Sequence, residues 1–541
     1  MKRPTIHLTL APYLTAGEAS GVRVTYTLSG LRFETGQTLC KLPELLFGID
    51  GAKVAADGIH AADELGPLAL THTRDEPTPS FTMRRWTTQR STKGDVTVEY
   101  AAPVRIVDFS TANGPLFDLR AEGCGISAGG LGFLALPEQD GIFETQTQWD
   151  LQELPVGARG VSSHGEGTVR RTTTLESLTF TFYMAGVLHS YPAEPDPTYG
   201  VFWLSEPTFD ASLIGQQGRI LYEEMCRFFR EPAPGFRIFV RKHPYPGLGG
   251  SLLPGSRGYM FGWGDTETHT TEELTRLLAH ETVHNWPLLD GFSHDPSQVS
   301  WYNEGIAEYY SMFIPHRAGL LSDDDFLRLL NKRARGYYAN PLQSLSSAAA
   351  AGLYWKDWRA QRVPYGRGLL YLIDTDHRLR QASQGARSLD DVVRTILERD
   401  RAGQRVTLDD WLELVTGEMG ESAKTAFEAM MSGEPVLPDL DCLMPRFTAI
   451  ESPIDEFDIG FAYYSFKTRT VSGLVETSEA AKAGVRDGDL IVRSPAAHTI
   501  NGGDLTEIAL TLRRGGKVLD LAYQPRGKKV NGLQWTKSPN S

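Results

Sequence analysis

The hydrophobic period of the chain changes near residue 205, and this change constrains the fold more than any other feature. In the first 200 residues apolar side chains alternate with polar ones, as at Ile6, Leu8 and Leu10. Alternation with a period of two is typical of half-buried antiparallel strands. The pattern therefore predicts an N-terminal β-sheet domain over residues 1–204.

Helices are predicted to dominate from residue 205 to residue 433. Leu221, Tyr222 and Met225 fall on one face at helical spacing. Four predicted helix starts carry a capping-box pair, in which side chain and backbone bond reciprocally. These pairs are Thr270 with Glu273, Ser322 with Asp325, Ser388 with Asp391 and Thr407 with Asp410.

The last hundred residues lose the helical period. The proline-rich stretch EPVLPDLDCLMP begins a predicted linker over 434–453, and short strands are expected to return at 454–527. The final residues, 528–541, are expected to form a flexible tail. Together these patterns predict a multidomain α+β protein, with a β-rich N-terminal domain, a mainly helical middle domain and a small C-terminal β domain.

Composition excludes several classes of protein. The 541 residues carry a net charge of −13 and include 10 Trp, 20 Tyr and 24 Phe, which argues against disorder and against a basic nucleic-acid binder. No apolar run approaches the roughly 18 residues that a membrane span needs, and no secretory signal is evident. A cytoplasmic protein without membrane or nucleic-acid partners is expected. The four cysteines show no paired spacing, so a metal site must use His and carboxylates.

The sequence His280-Glu281-Thr282-Val283-His284 is the strongest chemical signal. It lies in a helix predicted to run from Thr270 to Trp286. Histidines four positions apart project from one helical face, so both can bind the same Zn²⁺. Glu281, between them, can act on a water molecule at the metal without binding the metal itself.

A third ligand is predicted twenty positions after His284. Glu304 lies in the segment NEGIAEYY, which also has a helical pattern. A catalytic zinc needs three protein ligands and one open position, so His280, His284 and Glu304 complete a site for one zinc per chain. Glu308, one helical turn after Glu304, is predicted to accept the second imidazole proton of His280 and fix its tautomer.

The segments HETVH and NEGIAEYY together resemble the gluzincin metallopeptidases. The later stretch VPYGRGLLYLID, at 363–374, narrows the resemblance to the glycyl aminopeptidase family. This resemblance implies a thermolysin-like catalytic domain at 205–433 and a zinc-dependent aminopeptidase that favours peptides with N-terminal Gly or Ala. It further implies that Glu281 is the general base and that Tyr365, at the start of a helix, stabilises the oxyanion.

One residue differs from the family pattern, and this difference leaves the substrate specificity undecided. The family places an acid, expected to hold the α-amino group of the substrate, where this chain has Leu252. The backbone of Gly249 and Gly250 can still run along an extended substrate. Alternatives to the aminopeptidase are therefore an endopeptidase or a related zinc hydrolase with a repurposed cleft. A peptide-binding protein without activity is disfavoured by the complete set of site residues.

The segment EAAKAGVRDGDLI, at 479–491, resembles part of bacterial PDZ domains. Small residues predict a short helix that Gly484 ends, and Gly488-Asp489 predicts a turn into a strand. Gly460-Phe461 is the predicted carboxylate-binding loop. PDZ grooves bind peptide C-termini by strand addition, so a peptide C-terminus is a possible partner. A domain that only packs against the catalytic domain is the alternative.

Overall fold

A computed structural model describes most of the chain. The residues described are 3–46, 48–78, 81–109, 111, 114–231, 235–245, 248–253, 255–264, 269–286, 288–290, 296–354, 357–495, 500 and 505–539. Contacts divide the chain into two units. The first comprises Met1–Glu223 and Glu231–Glu281, and the second comprises Glu224–Arg230 and Thr282–Ser541.

A seven-stranded sheet organises the start of the first unit. In spatial order its strands are β15 (Val169–Thr173), β12 (Phe143–Trp149), β1 (Thr5–Thr15), β2 (Glu18–Ser29), β9 (Val96–Pro103), β5 (His60–Asp63) and β6 (Gly66–Pro67). Ile6, Leu8 and Leu10 on β1 are fully buried, while the residues between them are more exposed. The period of two therefore marks one buried face, as predicted.

Two further sheets complete the β-rich N-terminal region, which is confirmed. A four-stranded sheet contains β4 (Ile49–Asp50), β3 (Thr38–Leu46), β8 (Phe81–Thr88) and β7 (Leu70–Arg74). A five-stranded sheet contains β10 (Arg120–Glu122), β11 (Gly125–Gly129), β16 (Phe182–Gly186), β13 (Arg159–Ser162) and β14 (Gly165–Glu166). The short helix α1 (Leu175–Thr179) and a 3₁₀ turn at Gly130–Gly132 interrupt this region.

A separate five-stranded sheet carries the elements that precede the HETVH segment. Its strands, in spatial order, are β17 (His189–Tyr191), β18 (Tyr199–Trp203), β19 (Phe236–Lys242), β21 (Gly258–Trp263) and β20 (Gly249–Leu252). Helices α2 (Ala211–Phe228) and α3 (Thr271–Val283) follow β18 and β21 in sequence. The boundary between the N-terminal β domain and the next domain, predicted at residue 204, lies earlier in the chain. Strands β17 and β18, which begin at His189, pair within this sheet and not with the N-terminal sheets.

Buried charges tie β19 to the N-terminal sheets within the first unit. The Arg241 guanidinium donates to Asp118 Oδ1 at 2.9 Å and to the carbonyl of Ser127 at 2.8 Å. Both Asp118 and Arg241 are 1% exposed. Burial alone would raise the pKa of Asp118, but the charges of Arg241 and Arg120 hold it below its usual value.

The second unit begins with a helical region, as predicted. Its helices are α4 (Ser300–Arg317), α5 (Asp323–Tyr338), α6 (Ser347–Leu353), α7 (Trp358–Ala382), α8 (Leu389–Arg401), α9 (Leu408–Met419) and α10 (Glu421–Ser432), after a 3₁₀ turn at Pro296–Gln298. The predicted capping boxes at Thr270, Ser388 and Thr407 form in full. At Ser322 the hydroxyl accepts from the N–H of Asp325 at 3.1 Å. No described helix is long and apolar enough to cross a bilayer.

The C-terminal region of the second unit contains two small sheets. One pairs β22 (Phe447–Phe457) with β26 (Arg526–Lys537), and the other contains β23 (Leu490–Arg493), β24 (Ile508–Arg514) and β25 (Lys517–Tyr523). Two short helices, α11 (Tyr464–Thr468) and α12 (Glu479–Lys482), lie between β22 and β23 in sequence.

The predicted flexible tail at 528–541 is wrong over most of its length, and the linker is shorter than predicted. Strand β22 begins inside the predicted linker, and β26 extends to Lys537; residues 540–541 lie outside the described part of the chain. The tail is ordered because Leu533 and Trp535 alternate onto a buried face. The Asn331 side chain of α5 also bonds both backbone groups of Trp535, at 2.8 and 2.7 Å.

The PDZ-like signals are matched locally. Gly484, with φ +101°, follows the end of α12, and Gly488, with φ +84°, precedes β23, as the sequence predicts. After Gly460-Phe461, however, the chain enters helix α11 rather than a strand. A PDZ groove offers a strand edge to its peptide. The peptide-binding role of this region stays a prediction.

Candidate active site

Helix α3 presents the first two predicted ligands. The helix begins where Thr270 and Glu273 cap it reciprocally, at 3.0 and 3.2 Å. It ends at Val283, three residues before the predicted end, so His284 lies in the turn that follows. In that turn the N–H of Trp286 donates to the carbonyl of Val283 at 2.9 Å. The four-residue spacing still leaves His280 and His284 one helical turn apart.

Glu304 joins the two histidines from the second turn of α4. Its Oε2 lies 3.7 Å from His284 Nε2, and one ligand atom from each of His280, His284 and Glu304 falls within 4.8 Å of the others. Tetrahedral zinc with such ligands separates its donors by about 3.3 Å, so a small adjustment of these side chains accommodates the ion. The donor set of two imidazoles and one carboxylate therefore fits a catalytic zinc.

Asn303, which the sequence analysis did not single out, holds the chain between the two motifs. Its side-chain oxygen accepts from the N–H of Leu289 at 3.0 Å, and its amide donates to the carbonyl of Leu289 at 3.2 Å. Both backbone groups of one loop residue are thereby fixed to α4, next to Glu304. In the sequence, Asn303 stood out only by its place beside Glu304 in the N-E-G segment. That place did not indicate that its side chain would bind Leu289.

Two glycines let α4 and α7 approach closely. A Cβ added at Gly305 would lie 2.6 Å from the backbone of Gly368, and a Cβ added at Gly368 would meet the carbonyl of Trp301. Neither position can take a larger residue without moving a helix. This contact fixes the helix that carries Glu304 against the helix that carries Tyr365.

Tyr365 faces the ligand carboxylate within the second unit. It lies in the second turn of α7, which begins at Trp358 under an Asp357 cap, and not at a helix start as predicted. Burial, and then the negative charge of Glu304, raise the pKa of Tyr365 well above its ordinary value. A side-chain hydrogen bond joins Tyr365 to Tyr354, whose own pKa burial raises to about 12.

Glu308 lies one turn beyond Glu304, as predicted, and is 2% exposed. Its carboxylate forms an ion pair with Arg333 of α5 at 2.5 Å. This partner was not predicted, because it lies on a helix distant in sequence. The hydrogen bond from His280 to Glu308 stays a prediction.

Glu281 and Gly250 of β20 both lie near Tyr259, a buried tyrosine of the first unit. Burial, and then the charge of Glu281, raise the pKa of Tyr259 well above its ordinary value, which places the carboxylate near that phenol. A Cβ added at Gly250 would collide with the Tyr259 hydroxyl. The second glycine of the predicted substrate strand is therefore required by packing beside the predicted base.

Strand β20 lies at the edge of its sheet, where it pairs with β21 along one side. An edge strand of this kind can bind an extended peptide through its backbone. Leu252, at the position of the family acid, is half-buried and opposite Tyr259 in the β20–β21 register. Among the side chains of β20 that the structure describes, none carries a charge.

Comparison with known families agrees with the sequence interpretation. The family model of the M61 glycyl aminopeptidases matches residues 273–365, a segment that includes every predicted metal ligand, Glu281 and Tyr365. The resemblance to glycyl aminopeptidases and the classification as a metallopeptidase are thereby confirmed. A search of curated proteins finds no match to the chain.

One solved structure has a similar fold, and two others are similar at lower TM-scores. An aminopeptidase N family protein from Idiomarina loihiensis is similar with a TM-score of 0.67 at 14% identity, over 98% of both chains. An M1 zinc metallopeptidase from Deinococcus radiodurans has a TM-score of 0.47 at 17% identity, covering 80% of this chain and 94% of that one. Yeast LTA4 hydrolase has a TM-score of 0.48 at 13% identity, covering 81% and 69%.

Proposed function

We propose that this protein is a zinc-dependent metallopeptidase of the aminopeptidase type. The observation that carries the proposal is the convergence of His280, His284 and Glu304. These are the residue types of a catalytic zinc site with an open position, and they lie in the segment that matches the glycyl aminopeptidases. One zinc per chain is proposed at this position.

Each residue around the proposed zinc has a separate role in peptide hydrolysis. His280, His284 and Glu304 would hold the zinc, which would supply a Lewis acid that lowers the pKa of a water molecule and polarises the scissile carbonyl. Glu281 accepts a proton from the attacking water and passes it to the leaving amine. Tyr365 donates its hydroxyl proton in a hydrogen bond to the developing oxyanion, because a phenol is protonated at neutral pH.

The proposed substrate is a peptide lying along β20. The backbone of Gly249 and Gly250 is available at a sheet edge, and the family resemblance points to N-terminal Gly or Ala. Leu252 favours a second candidate, an endopeptidase or related hydrolase, because an apolar side chain cannot pair with an α-ammonium group. A buried ammonium without a partner would be costly. We therefore expect only a weak preference for a free amino terminus.

The proposal is tested with two short peptides that begin with glycine and differ only in acetylation of the amino terminus. Zinc-loaded enzyme should cleave both, the free peptide only slightly faster, while Glu281→Gln serves as the inactive control. Cleavage of the free peptide alone would restore a strict aminopeptidase that uses another acid. If zinc-loaded enzyme cleaves neither this pair nor a panel of other peptides, the peptidase assignment is wrong.

For residues 454–527 we propose a PDZ-like domain whose main role is packing. The helix α11 occupies the place where a PDZ domain would offer a strand, and the N–H of Phe457 donates to the carbonyl of Ala339, at the end of α5, at 2.7 Å. A domain held in this way supports the helices of the catalytic region. Titration of the full chain with peptides of varied C-termini should show no binding that depends on a free carboxylate; such binding would contradict the packing role.

A further inference from the structure

A second cluster of metal-ligating side chains lies on the later half of α7. His377, Asp439 and Asp441 each offer one ligand atom within 4.8 Å of the others. His377 Nε2 lies 3.4 Å from Asp439 Oδ2 and 3.5 Å from Asp441 Oδ1. His377 lies twelve positions after Tyr365 on α7, a distance of about 18 Å along the helix axis. This cluster is therefore separate from the proposed active site.

Local turns aim both aspartates at the same imidazole nitrogen. The N–H of Cys442 donates to the carbonyl of Asp439 at 3.0 Å, and the N–H of Met444 donates to the carbonyl of Asp441 at 2.9 Å. Cys442, next to Asp441, is 7% exposed and anchors the segment. The two carboxylates are thus presented by an ordered pair of turns and not by a loose loop.

Negative charge accumulates around the cluster. Asp374 lies one turn before His377 on α7, within the electrostatic influence of Asp439. Arg378 is 3.7 Å from Asp374 and also donates to Ser422. Among the described residues, the ion pairs of Asp439 and Asp441 are those with His377. The carboxylates of Asp374, Asp439 and Asp441 therefore have only the His377 imidazole and the Arg378 guanidinium near them among the described ion pairs, and that guanidinium also donates to Ser422.

The mixture of donors and exposures suits a divalent cation. His377 is nine-tenths buried, which orients its ring, while the side chains of Asp439 and Asp441 are 63% and 67% exposed and leave room for water ligands. Imidazole with carboxylates and water suits Zn²⁺ or Mn²⁺, whereas Ca²⁺ prefers oxygen alone. The Gln381 amide contacts the same nitrogen at 2.8 Å, a hydrogen bond that coordination would replace.

We propose that His377, Asp439 and Asp441 form a second divalent-cation site, which fastens the segment after α10 to α7. Its first test is Mn²⁺ titration of the full chain, followed by electron paramagnetic resonance, in the His280→Ala/His284→Ala background. About one Mn²⁺ should still bind. Adding Asp439→Asn/Asp441→Asn should weaken this binding at least tenfold, whereas adding Asp57→Asn/Asp140→Asn, an equal charge change at exposed positions, should not. Equal binding by both variants would overturn the proposal.

A stability measurement covers the case in which the ligand-deleted background does not fold. In the zinc-loaded protein, added Mn²⁺ should raise the thermal midpoint of the wild-type chain and of Asp57→Asn/Asp140→Asn. The rise should be absent in Asp439→Asn/Asp441→Asn, which should retain peptide hydrolysis. If the midpoint shifts equally in all three proteins, the cluster is an ion-pair triad and the cation site is refuted.

Discussion

At the scale of single residues, the environment of Tyr365 determines whether it can assist hydrolysis. A phenol stabilises an oxyanion only as a protonated donor. Burial and the nearby Glu304 carboxylate disfavour the phenolate, and Tyr354 holds the hydroxyl through a hydrogen bond. The same contacts would make Tyr365 a poor base, which agrees with the proposal that Glu281 is the base.

Replacing Tyr365 by Phe should lower turnover by roughly 10²–10³-fold, the usual loss for one oxyanion donor, and should leave the zinc content unchanged. The loss should fall on kcat rather than on KM, because the bond strengthens in the transition state. Tyr371→Phe is the matched control, since it removes a buried hydroxyl from the same helix. Similar losses of turnover in the two variants would argue for a general packing effect.

The proximity of the three predicted ligands could be expected in part from the sequence, because the spacing of the two histidines places them on one helical face. Two histidines four apart on a helix must share a face, and the structure brings both to Glu304. Their supports were not predictable. The partners of Asn303 and Glu308 lie on other elements, and only the folded chain shows them.

At the scale of elements, the crossing of α4 and α7 sets the geometry of the site. Gly305 and Gly368 lie inside helices, where glycine costs about 1 kcal/mol relative to alanine. An interior glycine is therefore sometimes a sequence signal of close packing, as at Gly305 and Gly368. The sequence did not indicate that Gly305 packs against Gly368, because that contact depends on which helices meet in the fold.

Gly368→Ala should destabilise the protein by about 1–3 kcal/mol, because the new methyl group meets the backbone of Trp301. It should also reduce turnover by displacing Tyr365 relative to Glu304. Gly417→Ala is the control: this helical glycine of α9 has open space around it, and the change should stabilise by up to about 1 kcal/mol. Urea unfolding checks both values. A Gly368→Ala protein as stable as wild type would disprove the close crossing.

Helix starts that carry a capping box were easier to predict than other helix boundaries. Capping boxes are local, and the boxes at Thr270, Ser388 and Thr407 form as predicted. The end of α3 at Val283 and the start of α7 at Trp358 differ from the predicted positions. Both boundaries depend on packing that short patterns do not encode.

At the scale of the whole molecule, the C-terminal residues form strand β26 where the sequence predicted a flexible tail. The sequence RGKKVNGLQWTK is rich in charge and glycine, so it resembled a tail. Its apolar residues Leu533 and Trp535 nevertheless alternate and are buried, and β26 pairs with β22. Alternation over so few residues is a weak signal when the pairing strand lies some 80 residues earlier.

Trp535→Ala should therefore destabilise the second unit by about 3–5 kcal/mol, the usual cost of deleting a buried aromatic side chain. The exposed neighbour Gln534 provides the control, and Gln534→Ala should change stability by no more than about 0.5 kcal/mol. Both are measured by urea unfolding followed by far-ultraviolet circular dichroism. Equal, small effects would restore the interpretation of a flexible tail.

The most direct test of the central claim is zinc content measured beside peptide hydrolysis in three proteins. His284→Ala should lose one zinc equivalent relative to the wild type, together with its activity, because one of three ligands is gone. Glu281→Gln should keep the zinc of the wild type and lose roughly 10²–10⁴-fold in turnover, because only the proton acceptor is removed. The account is contradicted if His284→Ala retains all the zinc, or if Glu281→Gln turns over peptides at a near-normal rate.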